Sequence, residues 1–506
     1  MPDARAQRLV LLIAILASFV AFLDGTVVNV ALPAMQRDLG GGMVTQQWVV
    51  DAYFITLGSL ILVAGSLSDV FGRIVIMRVG LVIFGVSSVA IALAPDPLFL
   101  VICRGVQGIG GAFLVPSSLA LITTTFRGPA QARAIGIWTA ATTAALLVGP
   151  VMGGLFVDFL SWRYVFLINV IPIAVTLWLL AILHQRDVRK PGATVDWAGA
   201  VLCTVGLAAT VYALIEQGRL GWSSPAIWGS LCIGILSLIG FVIRQAFARQ
   251  PMMPLELFRV RNFSAGNITT LFVYGALALN GLVLTVYLQQ GAGLSATMAG
   301  LASLPVTVIM IALSSRIGTL SGRWGPRMFM TVGPALMAVG FALLLTVSEN
   351  FDYWTQVLPS AILTGLGLVI TVAPLTSAIL GSIDPARSGI ASAVNNAVSR
   401  IAGLICVALL GVIAAGVLDL PGFHRVATFT AILMAAGALT SFIGIRNPVR
   451  APDDAPDAAT AAAAPAASAD EATATGEVAR SSEAAPTGEA TSTGEARTTG
   501  PSSAGA

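Results

Sequence analysis

Long apolar runs of about twenty residues follow one another along most of the chain, separated by short polar links. Fourteen such runs are predicted, at 9–30, 48–68, 75–94, 98–122, 135–157, 163–183, 197–216, 226–247, 264–288, 298–317, 328–347, 355–381, 389–416 and 425–445. In lipid, a segment of that length satisfies its own backbone hydrogen bonds only as a helix. The short alternating segments of an outer-membrane barrel do not occur. The pattern therefore predicts an all-α polytopic membrane protein with 14 transmembrane helices. The first run does not read as a cleavable signal peptide, because Asp24 and Asn29 stand where a small-residue cleavage site would fall.

Charge sets the orientation. Only 10% of the 506 residues are charged, against about 25% in an ordinary soluble domain. Nineteen basic residues lie at one set of span ends and four (Arg37, Arg163, Arg219 and Arg425) at the other. That bias predicts both termini in the cytoplasm. The 26 arginines against one lysine, with abundant Ala and Gly, suggest a GC-rich bacterium, hence a bacterial cytoplasmic membrane. From Ala451 onward the chain is Ala, Thr, Ser, Gly, Pro and acid, with nine acids and two arginines. It has too little apolar bulk to fold and is predicted to be a disordered cytoplasmic tail. Cys103, Cys203, Cys232 and Cys406 fall inside spans without metal or redox spacing and read as small core residues.

Polar residues inside the spans are the candidates for function. An acid in a bilayer core costs at least about 2.5–3.5 kcal/mol and is usually used. Asp24 is the first, in the outer part of the first run; the bland alternative is solvation near the interface. Asp51, a turn into the second span, is either a second coupling acid or a solvated rim carboxylate. Arg104 in the fourth span needs a carboxylate, carbonyl or water partner, and Gln107 shares its helix face. Asn280 in the ninth span, and Asn396 and Arg400 in the thirteenth, are candidate cavity linings or interhelical glue. Glu216 reads as a surface residue of an outer loop.

A repeat orders the spans. Gly65-Ser66-Leu67-Ser68-Asp69-Val70-Phe71-Gly72-Arg73 joins spans two and three, and Gly318-Thr319-Leu320-Ser321-Gly322-Arg323-Trp324-Gly325-Pro326-Arg327 joins spans ten and eleven. A parallel duplication follows, with the transport path between the halves. The expected division is 1–190 for the first six-helix half, 191–262 for an inserted helix pair and cytoplasmic linker, 263–446 for the second half and 447–506 for the tail.

These residues resemble the major facilitator superfamily, and more narrowly its fourteen-helix drug:proton antiporter branch. The Gly65–Arg73 loop is similar to the superfamily's signature Gly-x-Leu-x-Asp-x-x-Gly-Arg, with Ile74 where a second basic residue is common. The resemblance makes Gly65, Asp69, Gly72 and Arg73 a cytoplasmic gating loop. Asp69 is expected to accept from a helix N-terminus and Arg73 to pair with acids across the gap. Arg104-Gly105-Val106-Gln107-Gly108-Ile109-Gly110 is similar to the family's Arg-x-x-Gln-Gly-x-Gly. It implies that Arg104 assists proton transfer; a structural ion pair is the other reading. Gly149-Pro150-Val151-Met152-Gly153-Gly154 resembles the antiporter motif, with Ala145 in place of a usual glycine, and implies export. Leu23–Pro33, Trp48–Tyr53 and Trp162–Val170 resemble the branch's first, second and sixth helix motifs.

The resulting expectation is proton-coupled efflux (drug:H+ antiport) of lipophilic drugs or antibiotics by alternating access, cationic compounds being attracted by Asp24 or Asp51. A dedicated exporter of one self-made metabolite is the alternative. No His cluster, serine elbow, nucleotide loop or metal spacing supports an enzyme. The expected partners are small lipophilic substrates, protons and the lipid bilayer, with no nucleic acid. The chain is expected to act as a monomer and to need no cofactor beyond the proton gradient.

Overall fold

The computed structural model describes residues 4–183, 187, 189, 192, 194–384 and 387–447. Among them the regular elements are all helical. Fourteen helices run α1 Ala4–Leu39, α2 Met43–Phe71, α3 Arg73–Ala92, α4 Pro97–Thr125, α5 Gly128–Phe159, α6 Tyr164–Ile182, α7 Trp197–Leu220, α8 Pro225–Phe247 and α9 Arg261–Gln290. They continue as α10 (Ala296–Leu301 and Leu304–Trp324), α11 Pro326–Leu343, α12 Tyr353–Leu380, α13 (Ser388–Ala408 and Leu410–Ile413) and α14 Leu420–Gly444. Thirteen of them are long and apolar enough to cross a bilayer, while the apolar stretch of α5 is the shorter Val148–Phe159. At 32 residues α5 is nevertheless the second longest helix of the bundle. Of the predicted tail 447–506, all but Asn447 lies outside the described residues.

Polar caps define where the helices begin. Asp96, Asp196, Ser295, Asp352 and Asp419 each accept from a backbone N–H three residues on, at the starts of α4, α7, α10, α12 and α14. Exposed apolar side chains such as Val86, Trp178, Ile239 and Ile432 form the surface that lipid would cover.

The neighbour pattern repeats eight helices on. Helix α1 packs on α5 and α6, α2 on α4, and α3 on α4 and α6. In the same way α9 packs on α13 and α14, α10 on α12, and α11 on α12 and α14. The link between the second and third helix of each set is built alike. Gly72 (φ +104°) and Gly325 (φ +83°) turn the chain where an L side chain is strained. A residue beyond the sixth helix caps the helix that follows. Asp187 accepts from the amides of Ile74 and Val75, and Asn447 Oδ1 from that of Arg327. The cap expected of Asp69 is thus made by Asp187. Asp69 lies instead 3.8 Å from Arg73. Arg73 also donates to the Ala120 carbonyl of α4, rather than reaching an acid across a gap.

Helices α7 and α8 pack face to face through Gly206 against Leu238 and Gly234 against Thr210. Helix α7 lies against both α2 and α13. Glu216 is 8% exposed, not a loop-surface residue as expected. It accepts from the Trp48 indole at 2.9 Å and from Arg219 at 2.8 Å. Of the cysteines, Cys203 and Cys406 are buried as expected, whereas Cys232 is exposed.

Candidate functional site

The polar centre of the first half is assembled from α1, α3, α4 and α6. Asp24 has no exposed surface, and Arg104 is 2% exposed. They form an ion pair of 2.6 Å. The other carboxylate oxygen of Asp24 accepts from Gln107 at 3.1 Å and from Asn169 at 3.0 Å. Gln107 also donates to Ser88 at 2.9 Å and accepts from Arg104 at 2.6 Å. The Arg104 Nε donates to the Val49 carbonyl of α2 at 2.9 Å, and its guanidinium stacks 4.4 Å above the Tyr53 ring. Both charges are thus matched, as a buried pair requires, while the Asn169 Oδ1 and the Tyr53 hydroxyl beside them are buried with no partner among the described residues.

Local sequence explains the placement. Arg104 and Gln107, three apart, project from one face of α4. Helix α6 is interrupted at Ile168–Asn169, and Asn169, freed from a capping role, points its amide at Asp24. Asn169 was visible only as part of the sixth-helix motif and carried no predicted role. Nothing in the sequence singled out Ser88.

Asp51 is placed differently. It is fully buried, and among the described residues neither carboxylate oxygen has a hydrogen-bond partner. One turn earlier, Gln47 donates to the Val407 and Ala408 carbonyls of α13. Gln47 and Asp51 therefore share the face of α2 that meets the second half.

The antiporter motif also sits at a junction. A Cβ on Gly149 or Gly153 would strike Thr26 Oγ1 or the Val27 carbonyl of α1, at 2.2 and 2.9 Å. One on Gly154 would lie 2.6 Å from Thr297 Cα of α10, and one on Gly300 2.3 Å from the Pro150 carbonyl. Nearby, Asp158 of α5 accepts from the amides of Ala296 and Thr297, at 3.1 and 2.7 Å. The motif thus presses α5 against α1 through one face and against α10, in the other half, through the next.

The second-half candidates separate. Asn395 ties α13 to α9 through Asn267 and Thr270, whereas among the described residues Asn396 bonds only to the Ser392 carbonyl of its own helix. Asn280 is half-buried. Arg400, half-buried, extends from α13 toward the first half. Its guanidinium lies 5.5 Å from the Phe22 ring and 5.9 Å from the Phe54 ring. In the Gly65–Arg73 loop, Gly72 is pinned against Asp187, while Gly65 faces open space.

Comparison with known proteins places these features in a family. The model of the Major Facilitator Superfamily matches residues 14–407 and, in a second placement, 267–482. The chain is 35% identical over 416 residues to the puromycin resistance protein pur8 of Streptomyces alboniger, covering 80% of this chain and 81% of that one. It is 34% identical to the multidrug resistance protein Stp of Mycobacterium tuberculosis (81% and 76% covered) and 32% identical to the methylenomycin A resistance protein of Bacillus subtilis (80% and 87%). A crystal structure of an auto-inhibited POT family peptide transporter superposes with a TM-score of 0.64 at 16% identity, covering 89% of this chain and 99% of that one; that likeness speaks to the fold alone.

Proposed function

The chain belongs to the Major Facilitator Superfamily, and we propose that it is a proton-coupled exporter of lipophilic drugs or antibiotics, working by alternating access across a bacterial cytoplasmic membrane. It is a multi-pass membrane transporter rather than an enzyme. The observation that carries the proton-coupled reading is the buried Asp24–Arg104 pair with its matched amides. The pair and its amide donors join α1, α4 and α6, so a proton passed to Asp24 in exchange for substrate would act on all three helices at once. Asp51 complements it. Its carboxylate lies at the α2–α13 contact with no donor among the described residues, where an ionised group costs several kcal/mol. Separation of α2 from α13 would expose Asp51 to water. Resistance and export relatives support efflux as the direction. The bias of basic residues supports cytoplasmic termini.

The test is efflux from energised inverted vesicles, with puromycin, methylenomycin A and tetracenomycin C as separate substrates, for wild type and Asp24→Asn. Uptake that collapses at least tenfold with either an uncoupler or the substitution is the expected result. Transport that persists through both means that coupling does not run through Asp24. A second reading, export of a single compound, is favoured by relatives named for one antibiotic, such as the tetracenomycin C resistance and export protein. Movement of only one member of the panel would select it.

A further inference from the structure

The sequence pointed to Asp24 and Asp51 as the charges that greet a substrate, and so to cations. The structure removes both from view. Asp24 has no exposed surface and is neutralised by Arg104. Asp51 has none either and lies against α13, with Gln47 on the same face. The charged side chain left at mid-depth between the halves is Arg400.

Its surroundings are unusual for an arginine inside a membrane span, which normally finds a carboxylate or carbonyl. Among the described residues Arg400 makes no salt bridge and no hydrogen bond; its guanidinium lies over the rings of Phe22 on α1 and Phe54 on α2. Its Cβ lies 3.6 Å from the position a Cβ would take on Gly58 of α2, so the arginine stem packs against the first half at van der Waals distance. Arg400 as a whole is half-buried, and among the described residues no acceptor meets its N–H donors. The two rings that could receive a cationic drug already hold this cation.

We infer that Arg400 is the specificity-determining residue of the substrate cleft. The substrates it selects are lipophilic organic anions, whose carboxylate or enolate docks on the guanidinium while the apolar body lies along Phe22 and Phe54. A planar guanidinium meets a planar two-oxygen acceptor with two parallel hydrogen bonds. The unfilled donors are thus complementary to such an anion and repel a cation. This inference rests on the reading of the chain as an exporter, but binding can be measured without coupling, so the two fail separately.

The experiment uses two probes of similar shape and opposite charge, triphenylacetate, which carries a carboxylate, and methyltriphenylphosphonium. Binding to the full chain in nanodiscs is measured by tryptophan quenching, each probe referred to empty nanodiscs of the same lipid. Wild type is expected to bind the carboxylate at least tenfold more tightly than the phosphonium. Arg400→Gln should reduce that ratio to near one, Arg400→Lys should keep a preference of several-fold, and Arg400→Glu should invert it. Because Arg400 has no acceptor to leave orphaned, Arg400→Gln is expected to fold as wild type does. If it does not fold, the wild-type ratio and Arg400→Lys decide. A wild type that binds the phosphonium equally well, or neither probe above the empty-disc level, overturns the inference. So does a preference that survives Arg400→Gln. Uncoupler-sensitive efflux in the presence of any of these results would leave the exporter reading standing.

Discussion

At the scale of single residues, the Asp24–Arg104 pair makes an unequal prediction for its two partners. Asp24→Asn leaves an amide that still accepts from Gln107 or Asn169, but it strips Arg104 of its counter-charge. Arg104→Gln leaves a buried carboxylate with two amide donors only. Breaking a buried pair from one side costs about 3–5 kcal/mol, and both single variants should lose thermal stability in detergent. The double variant Asp24→Asn/Arg104→Gln carries no charge and should recover most of that loss. Equal additive losses in the double variant would mean that the pair is not the coupled unit its 2.6 Å contact implies. Both residues were legible in the sequence as isolated charges inside spans. Their pairing was not, because it joins positions 80 apart in the chain and no periodicity reports such a contact. Asn169 escaped for a related reason: it stands inside the predicted 163–183 span, but the acid it meets is 145 positions away in the chain. Glu216 was misread for the converse reason, since its neighbours in sequence are polar while its neighbour in space is the Trp48 indole.

At the scale of elements, the spans were readable from hydropathy because lipid imposes helix on every long apolar run. What hydropathy could not supply was the hardware at helix ends. Asp196 is an example. Burial pushes its carboxyl up, but the Gly199 amide, Arg244 and Gln245 outweigh that and hold it below its ordinary value of 3.8. It caps α7 and ties α7 to α8. A carboxyl depressed in the folded state contributes stability above its unfolded value and loses it as pH falls through the folded one. Asp196→Ala should therefore lower stability by about 1–2 kcal/mol with a constant gap from pH 8 to pH 5. The gap should close only below the ordinary carboxylate value of 3.8, as wild type loses the same interaction. Thermal unfolding across that range checks it; a gap that widens on acidification contradicts the assignment. The same class of interaction explains why the cap expected of Asp69 fell to Asp187. Sequence showed the glycine turn, and the capping group arrives from beyond the sixth helix.

At the scale of the whole molecule, the faces that join the two halves show which end is closed. Gln47 of α2 meets Val407 of α13, and Gly154 of α5 and Gly300 of α10 meet across the other junction. Eighteen residues, or about five turns, along each helix from these contacts stand Gly65, Gly389, Gly136 and Gly318. These four lie on the corresponding faces, toward the Gly72 end, and nothing lies within 4 Å of where their Cβ atoms would be. The bundle is therefore sealed at one end and parted at the end that the basic residues assign to the cytoplasm. If the halves rock about their middle, α2–α13 and α5–α10 must close on these glycines in the opposite state. Gly136→Leu and Gly318→Leu fill space that is empty in the present state, so stability should change by less than about 0.5 kcal/mol. Transport should fall at least tenfold because the second closure is blocked. Gly154→Leu makes the reverse case. Its side chain would collide with the Thr297 backbone, an overpacking worth about 1–3 kcal/mol, and it should hold the far end open. Cysteine-accessibility labelling at the two ends, alongside efflux, separates these outcomes. Full transport by Gly136→Leu/Gly318→Leu would show that the glycine faces do not meet in the cycle, and that the halves move by some path other than closure of α5 on α10.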